Sequence, residues 1–356
     1  MLVRSRAGRF ARGRSITTLF LALAFAVAAC SGSATSSPSA APPASTALAS
    51  VTEAPTPTVA STPSTTPAPS CPLSLTDDEG GTVALAAEPQ KIVSLTPAVT
   101  ETLYAVGAGP RVVATDDSSD YPAAAKGLPH VVNFGTVDVE KIVSLSPDLV
   151  IAGGAGFTSA DAIAKLRDVK IPVLVVSTPS IEGIYKDIEL VGTAVGAADQ
   201  ATAITTKMRA DMQAIATAAQ AESAKAATKP RVFYDVGYID TSGQIYGPAE
   251  GSFLAEMLGL LGVDVITGDK VTYEIPIEKL IERDPQVIIL GVNAFYHPTP
   301  EIIAKRPGWK ALTAVKTGDI RSVNDTEITR PGPRLAIGMY NLAHAMYPDL
   351  QLPPVS

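Results

Sequence analysis

Apolar positions in residues 73–356 follow two patterns, short β-branched runs and segments with helical spacing. Strands of a parallel sheet are buried on both faces, so they are apolar throughout, and covering helices separate them. The alternation therefore predicts an α/β architecture. The predicted strands are 91–95, 111–114, 148–152, 173–176, 231–234, 263–266 and 286–290, and the predicted helices are 98–105, one from 139, 160–168, 252–260 and one from 277.

One pattern occurs twice. The sequence VEKIVSLSPDLVI at residues 139–151 returns as IEKLIERDPQVII at residues 277–289, at a constant offset of 138 residues. Four of the thirteen aligned residues are identical, and five more are exchanges among Val, Ile and Leu. Each copy reads as a helix that ends at a proline, then a strand, then a glycine-containing loop. The repeat predicts two lobes built on one plan.

A long helix is predicted between the two lobes. Residues 199–227 contain no proline or glycine and are rich in good helix formers. One helix of this length would extend about 43 Å and could join the lobes, although a surface helix within one domain is the alternative. Two α/β lobes joined in this way enclose a cleft, and ligands of parallel sheets bind beyond the carboxyl ends of the strands.

Length and charge narrow the class of protein. The 356 residues, of which 46% are hydrophobic, are sufficient for two folded domains. A net charge of −7 offers no broad electropositive surface, which binding to nucleic acid would require. We therefore expect no nucleic-acid partner.

The N-terminus has the pattern of an export signal. Five arginines within residues 1–14 precede an apolar run at 16–29, which is short for a membrane span, and then Cys30. Residues 27–30, VAAC, look like a bacterial lipobox, so we expect lipidation of Cys30 and stable anchoring by two or more acyl chains. An ordinary signal peptide with an incidental cysteine is the alternative. Cys71 would then be the one remaining cysteine, without a disulfide partner.

A tether is predicted after the signal. Residues 31–70 are dominated by Ser, Thr, Ala and Pro with Glu53 as the single charge, so they bury too little apolar surface to fold. A flexible chain of this length spans roughly 35 Å. The predicted divisions are a signal peptide at 1–29, a disordered tether at 30–72, a first lobe at 73–180, an inter-lobe helical segment at 181–228 and a second lobe at 229–356.

Five stretches indicate a family. They are PQKIVSLTPAVTETLYAVGAGPRVVATD, SSDYP, VDVEKIVSLSPDLVIAGG, IPVLVV and RPGPRL, and together they extend from about Leu75 to near the C-terminus. In this order they resemble the periplasmic binding proteins of ABC importers, in the group that binds vitamin B12, iron-siderophores and haem. The resemblance implies an α/β fold of two Rossmann-like lobes joined by one long rigid helix, with a ligand cleft between the lobes. It also implies a monomer, with a permease dimer and its ATPase subunits as partners.

The resemblance gives the repeat a role. In this family a glutamate at the outer tip of each lobe pairs with arginines of the permease, and the matching positions here are Glu140 and Glu278. A symmetric permease dimer would require the same patch on both lobes. Each glutamate falls in the first turn of its predicted helix, where the helix dipole favours an anion. Two ordinary first-turn glutamates are the alternative.

Loops after the strands are expected to line the cleft, at 96–97, 116–122, 134–135, 153–157, 238, 246, 295–296 and 324–330. Aromatic rings there would offer flat apolar area, and arginine a fork for ligand oxygens, although core packing is the alternative for each ring. The resemblance places Tyr121 and Phe134 near a cobalamin pocket and Arg330 in the cleft, whereas Arg334 is expected to pack on its own helix. The predicted ligand-binding residues are Thr96, Ser118, Asp120, Tyr121, Phe134, Gly153, Gly154, Tyr238, Tyr246, Tyr296, Asp325 and Arg330.

The ligand itself is predicted less sharply. SSDYP is closer to the vitamin B12 members of the family, so a corrinoid is the leading expectation. Ser118, Gly153 and Thr272, however, stand where those members commonly carry rings. An iron-siderophore or haem is therefore the alternative ligand.

Other chemistry finds little support in the sequence. His130, His297 and His344 lack metal-site spacing, so neither a metal nor a cofactor is expected. The glycine run at 153–156 lacks the full dinucleotide-binding motif, and no nucleophile with a matching base is recognisable. A membrane-tethered enzyme or a metallochaperone remains a remote alternative.

Overall fold

The computed structural model describes residues 71–154, 156–177 and 179–355. Within these residues no helix is both long and apolar enough to cross a membrane. The predicted signal, Cys30 and most of the predicted tether lie outside the described residues. The strands are β1 Leu73–Thr76, β2 Thr82–Leu85, β3 Ile92–Ser94, β4 Val112–Asp116, β5 His130–Asn133, β6 Thr136–Val137, β7 Leu149–Gly153, β8 Val173–Val176, β9 Arg231–Asp235, β10 Gly237–Ile239, β11 Gln244–Tyr246, β12 Asp264–Val265, β13 Val287–Val292 and β14 Ile320–Asn324. The helices are α1 Pro97–Ala105, α2 Val139–Leu145, α3 Ala160–Asp168, α4 Ile181–Ala194, α5 Ala198–Ser223, α6 Phe253–Leu260, α7 Ile277–Arg283, α8 Pro300–Ile303, α9 Thr313–Thr317, α10 Thr326–Thr329 and α11 Leu335–Met346.

The first lobe is built on a six-stranded sheet in the order β6-β5-β4-β3-β7-β8. Its neighbouring strands run parallel except for β5 and β6, which are antiparallel. All five residues of β7 are buried, as expected for a strand covered by helices on both faces. The apolar runs predicted β3, β4, β7 and β8. They missed β5 and β6, which are short and partly exposed.

The second lobe contains a four-stranded parallel sheet in the order β12-β9-β13-β14. Sequence patterns predicted its first three strands in the order of the chain. They missed β14, because only one of its five residues is buried. They also missed α11, whereas α4 lies within the predicted helical segment at 181–228. One mainly parallel and one fully parallel sheet, both flanked by helices, confirm the predicted α/β class.

The long helix α5 has 26 residues and a length of about 39 Å. Near its start it contacts α4, where the Thr205 hydroxyl donates to a Glu189 carboxylate oxygen at 2.6 Å. At its end it contacts the second lobe, where the Ser223 hydroxyl donates to the Gly262 carbonyl at 2.6 Å. The predicted connection between the lobes is therefore present, and the helix ends four residues before the predicted position.

The internal repeat is also a structural repeat. Helices α2 and α7 each have seven residues and begin 138 positions apart, as do β7 and β13. Each helix ends at a residue with left-handed backbone, Ser146 at φ 48° and Asp284 at φ 42°. The matched residues Asp148 and Gln286 each accept a hydrogen bond from the backbone N–H that opens the neighbouring strand segment, at 2.9 and 3.0 Å. The repeat thus preserves backbone geometry as well as apolar spacing.

Candidate ligand-binding cleft

Loops that follow the strands of both sheets line an open cavity of about 550 Å³ at the seam between the lobes. This is where parallel α/β sheets bind ligands. Its floor and walls combine carboxylate, amide and imidazole groups with a few small apolar residues. The lining residues are Asp120 from the first lobe and Val292, Asn293, Ala294, His297, Ser322, Val323, Asn324 and Thr326 from the second.

A second cavity of about 250 Å³ lies along the same seam. The first lobe contributes Thr96, Gly153, Phe157 and Asp187 to it, and the segment 329–331 closes it from the second lobe. The predicted residues Thr96 and Gly153 thus share one cavity with Arg330. Gly154 is buried beside them, and a Cβ at that position would lie 2.0 Å from the Ser177 hydroxyl.

A chain of buried hydroxyls fixes the loop after β4. The Thr100 hydroxyl of α1 donates to Ser94 at 2.8 Å and lies 2.8 Å from the Ser119 hydroxyl. Ser119 in turn donates to Asp116 at 2.5 Å. Burial raises the pKa of Asp116, although the Ser119 hydrogen bond opposes the shift. This chain positions Ser118 and Asp120, two of the predicted ligand-binding residues.

The predicted ligand arginine, Arg330, is already paired. Its guanidinium donates to the Glu101 carboxylate at 3.0 Å, to the Asp120 carboxylate at 2.6 Å and to the Ser118 carbonyl at 3.1 Å. Glu101 belongs to α1 in the first lobe, and its side chain is only 2% exposed. The arginine therefore joins the two lobes, and it also lines the second cavity.

Arg334 does not pack on its own helix alone, so that expectation was wrong. Its guanidinium donates to both Glu101 carboxylate oxygens, at 2.8 and 2.6 Å, and to Glu327 at 3.3 Å. It also stacks over the Tyr121 ring, 4.1 Å from the ring centroid. The hydrogen bonds to Glu101 raise the pKa of Arg334. Among the described residues, the side-chain donors to the buried Glu101 carboxylate are Arg330 and Arg334 of the second lobe, which explains why Arg334 turns toward the first lobe.

The Tyr296 side chain anchors its loop to buried groups of the second lobe. Its hydroxyl donates to Asp235 at 2.6 Å and accepts from Arg306 at 2.5 Å. Asp235 is fully buried at the end of β9, and it also pairs with Arg306 at 3.0 Å. Burial, with Asp235 adding to it, raises the pKa of Tyr296. The hydroxyl of this predicted ligand residue is therefore held by the protein.

The other two predicted tyrosines lie on the hairpin β10–β11. Tyr238 meets Trp309 edge to face at 6.5 Å, and Arg306 lies over its ring at 4.1 Å. Tyr246 pairs with Gly237 across the hairpin and is half-buried. Both tyrosines are half-buried, and the Tyr238 ring is used in packing.

Asp325 belongs to a buried polar group below the open cavity. It accepts from the Tyr234 hydroxyl at 2.6 Å and from the Asn293 amide at 3.1 Å. Burial, with the nearby Asp325 charge, raises the pKa of Tyr234 well above its ordinary value. Asp325 is 6% exposed, so its role in the structure is to fix Asn293 and the loop that Asn293 begins.

Phe134 is the most exposed predicted ring, with 96% of its surface accessible. Its backbone is left-handed at φ 48°, which is costly for a bulky residue, and its N–H donates to Asp117 at 2.7 Å. The Asp117 contact ties it to the loop that carries Asp120. The ring is therefore held outward, in solvent, at a conformational cost.

Asp187 is a carboxyl group that the sequence analysis did not identify. It lies on α4 in the wall of the second cavity. Burial and the adjacent Asp78 carboxyl group raise the pKa of Asp187 to about 9. Asp78 is itself held by the Ser177 N–H at 2.6 Å. Asp187 therefore carries a proton at neutral pH.

This protonation predicts that stability falls as pH rises. An unfolded aspartate has a pKa of about 3.9, so between that value and about 9 the folded chain holds a proton that the unfolded chain releases. Urea unfolding at pH 5.5 and pH 8 should show a loss of stability at pH 8, and Asp187→Asn should reduce that loss. Asp199→Asn, at an exposed position, serves as the control. Equal losses in the wild type and Asp187→Asn would contradict the assignment.

Glu140 and Glu278 lie in the first turns of α2 and α7, one in each lobe. Both are exposed, and neither has an ion pair within the described part of the chain. The neighbouring lysines are anchored, because Lys141 donates to the His130 carbonyl at 2.7 Å and Lys279 to the Thr267 carbonyl at 3.2 Å. Each glutamate therefore projects from a fixed helix start.

Within residues 71–154, 156–177 and 179–355, no three His, Cys, Asp or Glu side chains are arranged to hold a metal. His344 packs edge to face on Tyr340 at 4.6 Å, and His297 is exposed in the open cavity. Sequence reasoning also missed Glu101. Its signal was available, since Glu101 is the single charge in the α1 sequence PAVTETLYA.

Comparisons with known proteins agree with this geometry. Residues 92–326 match the family model described as periplasmic binding protein. The chain is 34% identical to the ABC transporter substrate-binding lipoprotein YvrC of Bacillus subtilis over 78% of this chain and 86% of that protein. It is 30% identical to the vitamin B12-binding protein of Vibrio cholerae over 71% and 88% of the two chains. The crystal structure of the V. cholerae periplasmic vitamin B12 binding protein BtuF superposes with a TM-score of 0.60 at 26% identity, covering 73% of this chain and 97% of that one.

The matched residues include both sheets, the long helix and the cleft loops as far as Thr326. The two relatives and the solved structure each align over more than two thirds of their own length. This chain belongs to the periplasmic binding protein family, whose members bind solutes for ABC importers.

Proposed function

We propose that this chain captures a corrinoid of the vitamin B12 type and delivers it to an ABC importer. The carrying observation is the open seam cavity of about 550 Å³, which is lined by loops of both lobes. Phe134, whose N–H is bonded to Asp117 in the loop that carries Asp120, is an exposed ring that offers flat apolar area to a macrocycle. Similarity to a vitamin B12-binding protein over most of both chains supports the same ligand.

Delivery requires a partner, and the outer helices supply a surface for it. The partner is a permease dimer with its ATPase subunits, and Glu140 and Glu278 each meet arginines of one permease subunit. Support comes from the matched positions of the two carboxylates on α2 and α7 and from their lack of protein partners within the described residues. A monomer with internal pseudo-twofold symmetry suits a symmetric dimer.

The place of action follows from the N-terminal sequence. Lipid on Cys30 holds the chain to the outer face of the cell membrane, and the Ser/Thr/Ala/Pro segment after it gives the lobes reach. The similarity to a substrate-binding lipoprotein supports this location. The protein acts by binding alone, without a resident cofactor or a catalytic residue.

An iron-siderophore or haem is the alternative ligand, and one observation favours it. Ser118, Gly153 and Thr272 stand at three positions where, by the family resemblance, the vitamin B12 members commonly carry rings. A membrane-tethered enzyme is a more distant alternative. It would alter its ligand, whereas a binding protein returns the ligand unchanged.

Titration of the full chain with cyanocobalamin, haemin and a ferric hydroxamate tests the proposal. We expect cyanocobalamin to bind at one molar equivalent and to be recovered unchanged. Calorimetry should supply the signal, because Trp309 is fully buried beneath Arg306 and is poorly placed to report on the cleft. Binding of the hydroxamate or haemin alone would transfer the assignment to the alternative, and turnover of any ligand would favour an enzyme.

A further inference from the structure

The ion pairs at the seam between the lobes contain more carboxylates than guanidinium groups. Arg330 pairs with Glu101 at 3.0 Å and with Asp120 at 2.6 Å. Arg334 pairs with Glu101 at 2.6 Å and with Glu327 at 3.3 Å. Two guanidinium groups thus face three carboxylates, which leaves one negative charge in excess. The Asp120 side chain is 55% exposed and lines the open cavity, so part of this charge faces the ligand space.

The wall of the second cavity holds another negative charge. Asp187 lines that cavity, and among the described residues its carboxyl group has Asp78 as its one hydrogen-bond partner. Burial, this hydrogen bond and the Asp78 charge raise the pKa of Asp187 to about 9. The two carboxyl groups therefore share one proton at neutral pH and retain one negative charge. The Asp187 oxygen that does not bond Asp78 can accept an N–H from a ligand.

No residue along the two seam cavities supplies a free cation. Among the described lining residues, Arg330 is the one side chain with a permanent positive charge, and two carboxylates already pair with it. Amide and hydroxyl groups and one imidazole make up the other polar lining of the open cavity, from Asn293, His297, Ser322, Asn324 and Thr326. A ligand carboxylate would meet like charge here, and an unpaired buried charge is costly.

Resting on the proposed function, we propose that the seam selects a ligand whose side groups are uncharged amides and excludes one whose side groups are carboxylates. The Asp120 and Asp187 oxygens accept hydrogen bonds from amide NH₂ groups, whereas the excess negative charge repels a carboxylate. A corrinoid carries primary amides around its macrocycle, and a haem carries propionates. The seam carboxyl groups thus distinguish two macrocycles that apolar contact alone would accept alike.

The test uses ligands that differ in one charge. In a monocarboxylic acid of cyanocobalamin one peripheral propionamide is hydrolysed, so a carboxylate replaces an amide of almost the same size. Calorimetry on the full chain should give the most affected isomer a dissociation constant about tenfold above that of cyanocobalamin. Haemin should bind more weakly than cyanocobalamin. The gap between the amide and the acid should narrow at high salt, because ions screen the repulsion.

Variants identify the carboxyl groups responsible. Asp187→Asn alone should leave the gap unchanged, because the Asp78 charge remains. Asp78→Asn, Asp120→Asn and Asp187→Asn combined should bring the acid within about twofold of cyanocobalamin. Asp199→Asn is the control and should keep the tenfold gap, since Asp199 is exposed on α5 and lines neither cavity. The comparison of ligands on the wild type decides the matter if the triple variant does not fold.

The outcomes separate this inference from the proposed function. If the wild type binds cyanocobalamin and all its monocarboxylic acids equally well, only this inference fails. If it binds a ferric hydroxamate and no corrinoid, the corrinoid assignment fails. The charge comparison then uses ferrioxamine B and its N-succinyl derivative, in which a carboxylate replaces the ammonium group, and equal affinity for that pair would overturn the inference as well. Tighter binding of haemin than of cyanocobalamin would overturn both.

Discussion

Replacement of both Glu140 and Glu278 by alanine is expected to abolish ligand-dependent uptake while leaving the dissociation constant of the ligand unchanged. The two carboxylates lie on the outer helices α2 and α7, away from the residues that line the seam cavities. An isolated exposed ion pair contributes about 0–1 kcal/mol, but bidentate carboxylate–guanidinium pairs desolvated at an interface are worth more and guide docking. Uptake should be measured in cells that carry the cognate importer, and affinity on the purified variant.

Each single variant should retain partial uptake, because one lobe still presents its carboxylate. Glu301→Ala provides a matched control, since Glu301 is another exposed first-turn glutamate of the second lobe, on α8. Its position has no glutamate at the offset of 138 residues, where Ile163 stands. Normal uptake by the double variant would remove Glu140 and Glu278 from the docking surface. A loss of affinity would indicate instead that the helices act on the cleft.

The lysines beside these glutamates explain why the two helix starts are equivalent in structure. Lys141 and Lys279 each bond a carbonyl in the segment before their helix, so the ammonium groups are fixed in the fold. A lysine left free would screen the neighbouring glutamate from a guanidinium partner. In each repeated Glu-Lys pair, the lysine thus fixes the start of the helix and the glutamate faces outward.

Apolar spacing made the architecture predictable. Fully buried strands such as β7 and β13 cannot tolerate polar residues, so their sequences record the sheet directly. Strands β5 and β14 are partly exposed and were missed for that reason. The constant offset of the repeat predicted the matching elements of the second lobe, where α7 begins 138 residues after α2.

The chemistry of the cleft was less predictable, because residue type does not reveal the partner. Tyr296 and Arg330 were expected to meet a ligand, yet buried carboxylates hold them. Those carboxylates, Asp235 and Glu101, lie 61 and 229 residues away in the chain. Nothing in a single sequence indicates which residues so far apart in the chain will lie next to each other in the fold. Burial of an unpaired charge is costly, so the fold recruits whichever donor the topology brings close.

Arg334→Ala is expected to lower the free energy of unfolding by about 1.5–3 kcal/mol, because Arg330 remains as a partner of Glu101. Arg334 gives Glu101 two of the three side-chain hydrogen bonds that its carboxylate receives, and the third comes from Arg330. The Glu101 side chain is 2% exposed, so the loss of two hydrogen bonds leaves a buried carboxylate short of donors. The substitution also removes the guanidinium from the Tyr121 ring. Urea unfolding of the variant and the wild type at pH 7 measures the difference.

Arg209→Ala is the matched control for this effect. Arg209 also pairs with a glutamate, Glu182, and stacks over a tyrosine ring at 4.1 Å, but the side chains of its ion pair are 43% and 53% exposed. Because water solvates both charges after the change, Arg209→Ala should alter stability little. Equal losses of unfolding free energy in the two variants would mean that stacking on tyrosine, and not the burial of Glu101, accounts for the stability that Arg334 contributes between the lobes. A large loss for Arg334 alone would assign the strength of the seam to the buried carboxylate, the one charge in α1.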